Sequence, residues 1–479
     1  MKLYKAKEIK KWDQFTIDHD DITSLELMER AANIVTKAIL SSYHFKSAIV
    51  LCGPGNNGGD GYVIARLLSD RGISSGIYAP VSPKSIDCKT NAEKLPSNVA
   101  IISDLDQIGK YELVIDALFG VGFTGDSRAP FDTLISHLNS LDNKVVSIDV
   151  PSGLNPDLIR QTNPIILNAN QTFTFEQSKK AFYFRENEAY TGKVREISIG
   201  LLQEFEGEEW AHLITTDSFE LNQKSDFTHK GEKGKLLVIG GHKKMAGASV
   251  LATKAAFRTG SGYVLNLCSE FTQNQVIHNC PEAIVLDDFP EVFSAISIGM
   301  GLGTEEGAEA DLIKALESKK PLIIDADAIN IISGNIDLLD KIPSETILTP
   351  HRTELKRLLR VSDDINDEDL LEAQINFSIK HQVYVVQKGK YSKATTPEGE
   401  LFINPTGNKG MAVAGSGDVL SGIIGSLLAQ GNSPFNAVLA GVYAHGLAAD
   451  LYAAKHGVNG MLPSDYLEKI PEALRQIIS

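Results

Sequence analysis

Residues 47–68 read SAIVLCGPGNNGGDGYVIARLL. A short apolar run (47–52) ends in a glycine-rich turn, and the turn opens onto a helical pattern. A buried strand feeding a glycine turn and then a helix is the unit of a parallel sheet covered on both faces. The unit recurs on either side. Residues 5–41 carry helical spacing, with Ile9, Trp12, Ile22, Leu25, Met28, Ala32 and Val35 on apolar faces. ELVIDALFG (112–120) and KVVSIDVPSG (144–153) are apolar runs that end in acidic and glycine residues. TFTFEQSKKAF (172–182) and VREISIG (194–200) read as later strands.

Over 201–230 the pattern lapses into an acidic and then polar stretch with no buried run. A boundary near 210–220 divides the chain into domains 1–215 and 216–479. Alternation then restarts at KLLVIGG (235–241), SVLATKAAFRTGSGYVLNLC (249–268), AISIGMGLG (295–303), PLIIDADAIN (321–330) and ETILTPHRTEL (345–355). YVVQKGKYSKATT followed by GELFIN predicts an antiparallel hairpin at the sheet edge. The fold class is α/β, a Rossmann-like three-layer domain followed by a second α/β domain of roughly 250 residues.

Composition narrows the function. The chain has 479 residues, 43% hydrophobic and 22% charged, which is the balance of a globular protein with more than one domain. The formal net charge is −15 with no basic block, so nucleic acid and anionic membranes are not expected partners. The start, MKLYKAKEIKKWDQ, is too polar for a secretory signal, and no run of about 18 apolar residues predicts a membrane span. Cys52, Cys88, Cys268 and Cys280 lack CxxC spacing and read as incidental thiols of a reducing compartment. A cytoplasmic enzyme is the expectation.

The turn in CGPGNNGGDGYVIA (52–65) spells Gly53-x-Gly55-x-x-Gly58 between a strand and a helix, the context of a dinucleotide loop. Against that reading, the next strand-like segment, GIYAP, ends without an acidic ribose partner. Asn56, Asn57 and Asp60 also place polar side chains where a pyrophosphate needs bare N–H groups. Asn and Asp oxygens suit a hard cation, and they suit a capped tight turn equally. Asp116 and Asp149 end two further strands, with Ser152 just beyond, so strand ends gather Asn57, Asp116, Asp149 and Ser152 at one crevice.

NNGGDGYVIARLL, DALFGVGFTG and SIDVPSG resemble the N-terminal epimerase half of the bifunctional NAD(P)H-hydrate repair enzymes. The resemblance implies a potassium ion (K+) held by Asn57, Asp116 and Ser152. It implies a site for the hydrated nicotinamide nucleotide lined by Asn56, Asn57, Gly58, Gly59, Asp60, Gly120, Val121, Gly122, Phe123, Thr124, Gly125, Asp126 and Asp149, with Asp149 as the acid/base. Val121 and Phe123 depart from the usual Gly-Thr-Gly-Leu form of that loop.

A second site is carried by AVAGSGDVLSG (412–422). Glycine lets backbone N–H groups approach a phosphate at a helix start, where the dipole favours anions. Asp418, directly after Gly415-Ser416-Gly417, either stabilises the helix start or takes a proton from a hydroxyl attacking that phosphate. Asp325 and Asp327 read as capping residues or as contacts to a polar ligand, and Lys388 as a point charge for phosphate.

These segments are similar to the ribokinase-like superfamily. With GMGLG, DADAIN, TPHRTEL and QKGKYS they look like ADP/ATP-dependent NAD(P)H-hydrate dehydratases. That resemblance implies hydrate contacts at Ala248, Gly303, His351 and Asp418. It implies adenine-nucleotide contacts at Lys388, Gly389, Lys390, Tyr391, Ser392 and Gly417, and Mg2+ with ADP or ATP as co-substrate. Lys409 and Arg352 replace prolines of the usual pattern and are expected to loosen their loops. The family also implies a homo-oligomer, a tetramer or larger, acting on NADHX and NADPHX. Two rivals share the glycine-aspartate feature: a small-alcohol kinase fused to a nucleotide-binding domain, and a nucleotide-binding regulator without turnover.

Overall fold

A computed structural model describes residues 1–304 and 306–478. It contains two compact units, Leu3–Trp210 and Met1–Lys2 with Ala211–Ser479. The assignment of Met1–Lys2 to the second unit has no signature in the sequence: the α-amino group donates to the Leu213 carbonyl at 2.9 Å.

In Leu3–Trp210 the strands lie in the order Ala100–Ile102, Ser74–Tyr78, Ser47–Cys52, Leu113–Ala117, Lys144–Ile148, Gln171–Phe175, Lys193–Ile197. All neighbouring pairs are parallel. From Ser47–Cys52 the chain builds outward one way and then returns to Leu113–Ala117 and builds the other way. The two strands therefore flank a topological switch point, where an open sheet leaves a crevice at its carboxyl edge. Helices Ala6–His19, Ser24–Ser42 and Asn56–Ser69 contribute Ile9, Trp12, Val35, Ile39, Ile64 and Leu68 to the core beside Val50 and Ile115.

The helical stretch expected over 5–41 is thus two helices. The break follows from Thr23, whose side chain accepts from the Glu26 N–H at 3.2 Å while Glu26 Oε2 accepts from the Thr23 N–H at 2.8 Å. This reciprocal capping box starts a new helix inside one apolar pattern. The strand expected over 172–182 stops at Phe175, because Glu176 takes a left-handed turn (φ 58).

The second unit has a parallel core ordered Ile284–Leu286, Tyr263–Leu267, Lys235–Ile239, Ala295–Ile298, Leu322–Ile324, Ile347–Leu348, Tyr384–Gln387. The antiparallel strands Lys393–Thr395 and Leu401–Ile403 follow, in register Val386↔Ala394 and Ala394↔Phe402. That hairpin is not the edge, since His212 and Leu213 pair in parallel with Phe402 and Ile403. The stretch read as having no buried run therefore contains Ala211, Leu213 and Ile214, all buried; acidic neighbours conceal them in the sequence. Helix Pro434–His456 is long and apolar enough by composition to cross a membrane, with mean hydropathy 1.2, but it buries Val438, Leu439, Val442 and Ala448 in this unit's core. All four cysteines are free thiols, and Cys52, Cys88 and Cys280 are buried.

The capping box gives a direct test of the two-helix reading. Thr23→Ala removes one N-cap bond and is expected to cost about 1 kcal/mol. It should lower the melting temperature of the N-terminal unit by a few degrees without changing that of the C-terminal unit, read by differential scanning calorimetry.

Candidate active sites

In the N-terminal unit, helix Asn56–Ser69 begins straight from Gly55 with no side-chain cap, leaving its first N–H groups at the crevice. The turn before it is tight. A Cβ on Gly58 would lie 1.9 Å from the Gly53 carbonyl oxygen, so only glycine fits there.

Three expected residues converge next to that turn. A Cβ on Gly120 would lie 3.0 Å from Asp149 Oδ2 and 3.3 Å from Asn57 Oδ1. The Asn57 amide donates to the Ile148 carbonyl at 3.3 Å, which leaves Oδ1 on the Gly120 side. Asp149 follows strand Lys144–Ile148 in a left-handed conformation (φ 67), a strained state that persists only when its surroundings hold it. They do hold it. Oδ2 accepts from the Val121 N–H at 3.1 Å, Oδ1 from the Phe175 N–H at 3.3 Å, and Lys179 Nζ lies 2.9 Å from Oδ1. Lys179 is itself buried, and its ammonium also donates to the Phe175 and Gln177 carbonyls.

Further carboxylates crowd the same pocket. Burial, then the Asp149 charge, pushes Asp13 up to about 7 against the pull of Lys179. Burial, then Asp149 and Asp13, holds Asp60 well above the ordinary carboxylate range. Asp116 lies deeper and is fully buried. Oδ2 accepts from Ser147 Oγ (2.8 Å) and the Ser152 N–H (2.9 Å), and Oδ1 accepts from Ser152 Oγ (2.6 Å) and the Leu118 N–H (3.2 Å). Burial raises its pKa despite these four bonds. Ser152 Oγ also accepts from the Phe119 N–H at 3.1 Å. Gly120, Val121, Gly122 and Phe123 follow along the rim, where Phe123 stacks on Phe119 at 4.8 Å. Thr124, Gly125 and Asp126 lie exposed beyond them.

In the C-terminal unit, Gly415 caps helix Ser416–Ala429 at φ 96, a turn that a residue with a Cβ would strain. Asp418 falls in the first helical turn. Burial, then the nearby Asp325 charge, raises it to about 6, against the opposing Lys388. Lys388, at the end of strand Tyr384–Gln387, reaches under the loop: a Cβ on Gly417 would sit 3.1 Å from its Nζ. The ammonium donates to Asp325 Oδ1 at 2.6 Å and stands 3.9 Å from Glu354 Oε2. Burial works against its charge, but Asp325, Glu354 and Asp418 outweigh it and hold the lysine above its ordinary range. Ser421 Oγ donates to the other Asp325 oxygen at 2.7 Å. One half-buried cluster, closed from beneath by the buried Asp325 and Ser421, thus brings together Gly417, Asp418 and Lys388.

Asp325 and Asp327 are structural ties: Asp327 Oδ2 accepts from the Gly303 N–H at 2.8 Å and fixes the GMGLG loop. Ala248 lies against that loop, 3.1 Å from where a Gly301 Cβ would be. His351 caps helix Arg352–Leu359, with Nδ1 accepting from the Thr353 and Glu354 N–H groups and Nε2 at 3.2 Å from Glu354 Oε1. Gly389, Lys390, Tyr391 and Ser392 form the turn of the antiparallel hairpin, held by Ser392 Oγ donating to the Gly389 carbonyl at 3.3 Å. Arg352 does not loosen its loop; it pairs with Asp367 and donates to the Ile365 carbonyl. Lys409 sits in a short 3-10 turn capped by Asn408, whose side chain accepts from the Gly410 N–H at 3.0 Å.

Sequence reasoning missed Lys179, Asp13, Glu354 and Ser421. Lys179 lay inside an expected strand. Asp13 sits in helix Ala6–His19, where the apolar residues dominate the pattern. Glu354 closes a capping box with His351, but a histidine is not one of the residues that announce such a box in a sequence.

The family profile described as NAD(P)H-hydrate dehydratase matches residues 236–472, and that of the YjeF-related protein N-terminus matches residues 24–181. The bifunctional NAD(P)H-hydrate repair enzyme of Coxiella burnetii is 33% identical over 97% of this chain and 97% of its own. The enzyme of the same name from Escherichia coli is also 33% identical, over 97% of this chain and 92% of its own. An ADP/ATP-dependent NAD(P)H-hydrate dehydratase from Bacillus subtilis, crystallised with ATP and Mg2+, superposes with TM-score 0.51 at 28% identity, covering 56% of this chain and 99% of its own. Two domains in the same order, matched end to end at this identity, leave one assignment: the chain belongs to the bifunctional NAD(P)H-hydrate repair enzyme family.

Proposed function

We propose that this protein repairs hydrated NADH and NADPH. The N-terminal unit interconverts the R and S epimers of NADHX and NADPHX, and the C-terminal unit dehydrates the S epimer with ADP or ATP as phosphoryl donor. The observation that carries the dehydratase reading is Asp418, a carboxylate raised to about 6 in the first turn of a glycine-capped helix, beside a half-buried ammonium. In that position it takes the proton from the hydrate's ring hydroxyl as the oxygen attacks the terminal phosphorus. AMP leaves from ADP, or ADP from ATP. Phosphate then departs from the ring with the C–O bonding pair, and loss of the neighbouring ring proton restores the double bond. Phosphorylation replaces hydroxide with a good leaving group, and the loop N–H groups with Lys388 offset the charge that builds on the phosphoryl oxygens. The same cluster supports Lys388 and Gly417 as nucleotide contacts, with Gly389, Lys390, Tyr391 and Ser392 following on the adjacent turn.

Among the described residues no cluster of three metal-ligating side chains is present, and both Asp325 oxygens are already bonded. This fits Mg2+ carried by the nucleotide's own phosphates and water rather than by a protein cage. For K+, Asn57 Oδ1 and Ser152 Oγ retain lone pairs, whereas the Asp116 oxygens already carry four donors. Asn57 and Ser152 would hold the ion directly, with Asp116 contributing its charge through Ser152, and the ion would anchor the nucleotide's polar groups. Asp149, held by Lys179 and the Val121 N–H, is the proton acceptor and donor for epimerisation.

Asp418→Asn is expected to cut dehydration about 10²–10⁴-fold and leave epimerisation intact, and Asp149→Asn to do the reverse. Absorbance at 340 nm and chromatographic separation of the epimers read the two activities. Asp418 works as the base when ionised, so kcat/KM for dehydration should fall as pH drops below about 6. The folded pKa lies above the unfolded one, so the stability linked to this group is full below the unfolded value and is lost as pH rises through about 6. Asp418→Asn should therefore melt no lower than the parent at pH 8. Gly58→Ala forces a Cβ against the Gly53 carbonyl and should abolish epimerisation while dehydration of pure S-NADPHX persists.

A further inference from the structure

The dehydratase reading leaves a buried polar chain unused. His445, on helix Pro434–His456, is 8% exposed, and Tyr466, on the short helix Pro463–Leu467, is fully buried. His445 Nε2 lies 3.3 Å from the Tyr466 hydroxyl oxygen, and Tyr466 donates to Ser416 Oγ at 2.9 Å. His445 also bonds the Ser416 backbone. Two neighbouring elements therefore converge on one residue, the middle of Gly415-Ser416-Gly417. The same short helix backs the preceding glycine: a Cβ on Gly415 would lie 3.3 Å from Pro463 Cγ.

Tyr466 donates its one hydroxyl proton to Ser416 Oγ, and His445 holds both the Tyr466 oxygen and the Ser416 backbone. Ser416 accepts from Tyr466, so its own hydroxyl proton is left for another acceptor. Ser416 is only half-buried, between the buried chain on one side and the accessible loop on the other.

Neither inner member changes charge at working pH. Burial, then the Lys388 charge, lowers His445 to about 3, and burial raises Tyr466 to about 12. Both therefore stay neutral while Asp418 titrates. A buried His–Tyr pair in a core is often no more than a satisfied pair. Here both groups end on the residue that shapes the candidate phosphate loop, and neither has another hydrogen-bonding target among the described contacts.

We propose that His445 and Tyr466 are positioning residues for phosphoryl transfer, orienting Ser416 so that its hydroxyl joins the loop's N–H groups as a donor to the nucleotide's terminal phosphate. The proposal rests on the dehydratase reading above and adds a side-chain donor to it. Because the donor is aimed where charge develops, its loss should appear mainly in kcat.

The test is a double-mutant cycle with S-NADPHX and ADP. Tyr466→Phe, which deletes one oxygen, should lower kcat for dehydration about 10–100-fold while KM for the hydrate stays within about 2-fold, and the acidic limb of the pH profile should not move. Ser416→Ala should lower kcat similarly, and Tyr466→Phe should cost nothing more in that background. Ser416→Thr keeps the hydroxyl and should retain activity. His445→Gln, which keeps a donor of similar reach, should lose less than His445→Leu. The inference is overturned if Tyr466→Phe has parental kcat, or if its cost is the same with Ser416 present and absent, as for a purely structural defect. Asp418→Asn run in parallel separates the two levels. If it abolishes dehydration while Tyr466→Phe is harmless, only the positioning role falls. If it dehydrates at the parental rate, the underlying reading falls.

Discussion

In the function proposed here, the dehydratase half depends on one electrostatic constraint: a carboxylate and a phosphate must share the start of a helix. Two anions at that distance repel, and burial strengthens the repulsion. The structure offsets it in three ways. The helix start and the glycine-capped turn supply N–H groups and a positive dipole end, Lys388 supplies a half-buried, anchored ammonium, and Asp418 shifts toward neutrality until about pH 6. Lys388 cannot be a mobile surface charge in this arrangement. Asp325 anchors it at 2.6 Å and Ser421 anchors Asp325, so the positive charge is fixed before any ligand arrives. Preorganisation of this kind lets a small constellation stabilise a transition state without rearranging.

The epimerase half places a comparable constraint at a different edge. Its parallel sheet reverses order between Ser47–Cys52 and Leu113–Ala117, and Asn57 and Asp149 meet there at Gly120, while Asp116 is fully buried and bonded to Ser147 and Ser152. Here several carboxyl groups face each other with one buried lysine among them, and Asp13 and Asp60 respond by shifting toward the neutral form. Asp149 is bonded to Lys179 and strained at φ 67. Glycine at position 58 is a condition for the loop to close at all.

Strand-turn-helix units were legible because parallel strands leave near-continuous apolar runs with glycine at their ends, as in SAIVLC and KLLVIGG. The two-domain order and the gathering of strand-end residues followed from that. Short strands flanked by acids were not legible: Glu208 and Glu209 hide the buried Ala211, Leu213 and Ile214, which pair with the hairpin and move it off the edge. The helix break at Thr23 had a signal in the Thr-x-x-Glu spacing, but the apolar periodicity runs straight through it. At the sites, glycines and strand-end acids announced themselves, while their partners did not. Lys179, Ser421, His445 and Tyr466 come from distant segments and act through tertiary contacts that no local pattern encodes.

The position of the nucleotide's terminal phosphate decides whether Asp418 is a base or only a helix-start acid. A crystal structure of the protein soaked with ADP and Mg2+ would locate it directly. The phosphate should lie within hydrogen-bond reach of the N–H groups of residues 415–417 and of the Ser416 hydroxyl, with the Asp418 carboxylate facing the space beside its phosphorus. A nucleotide bound with that phosphate remote from residues 415–418, and Asp418 facing solvent, would contradict its role as the base.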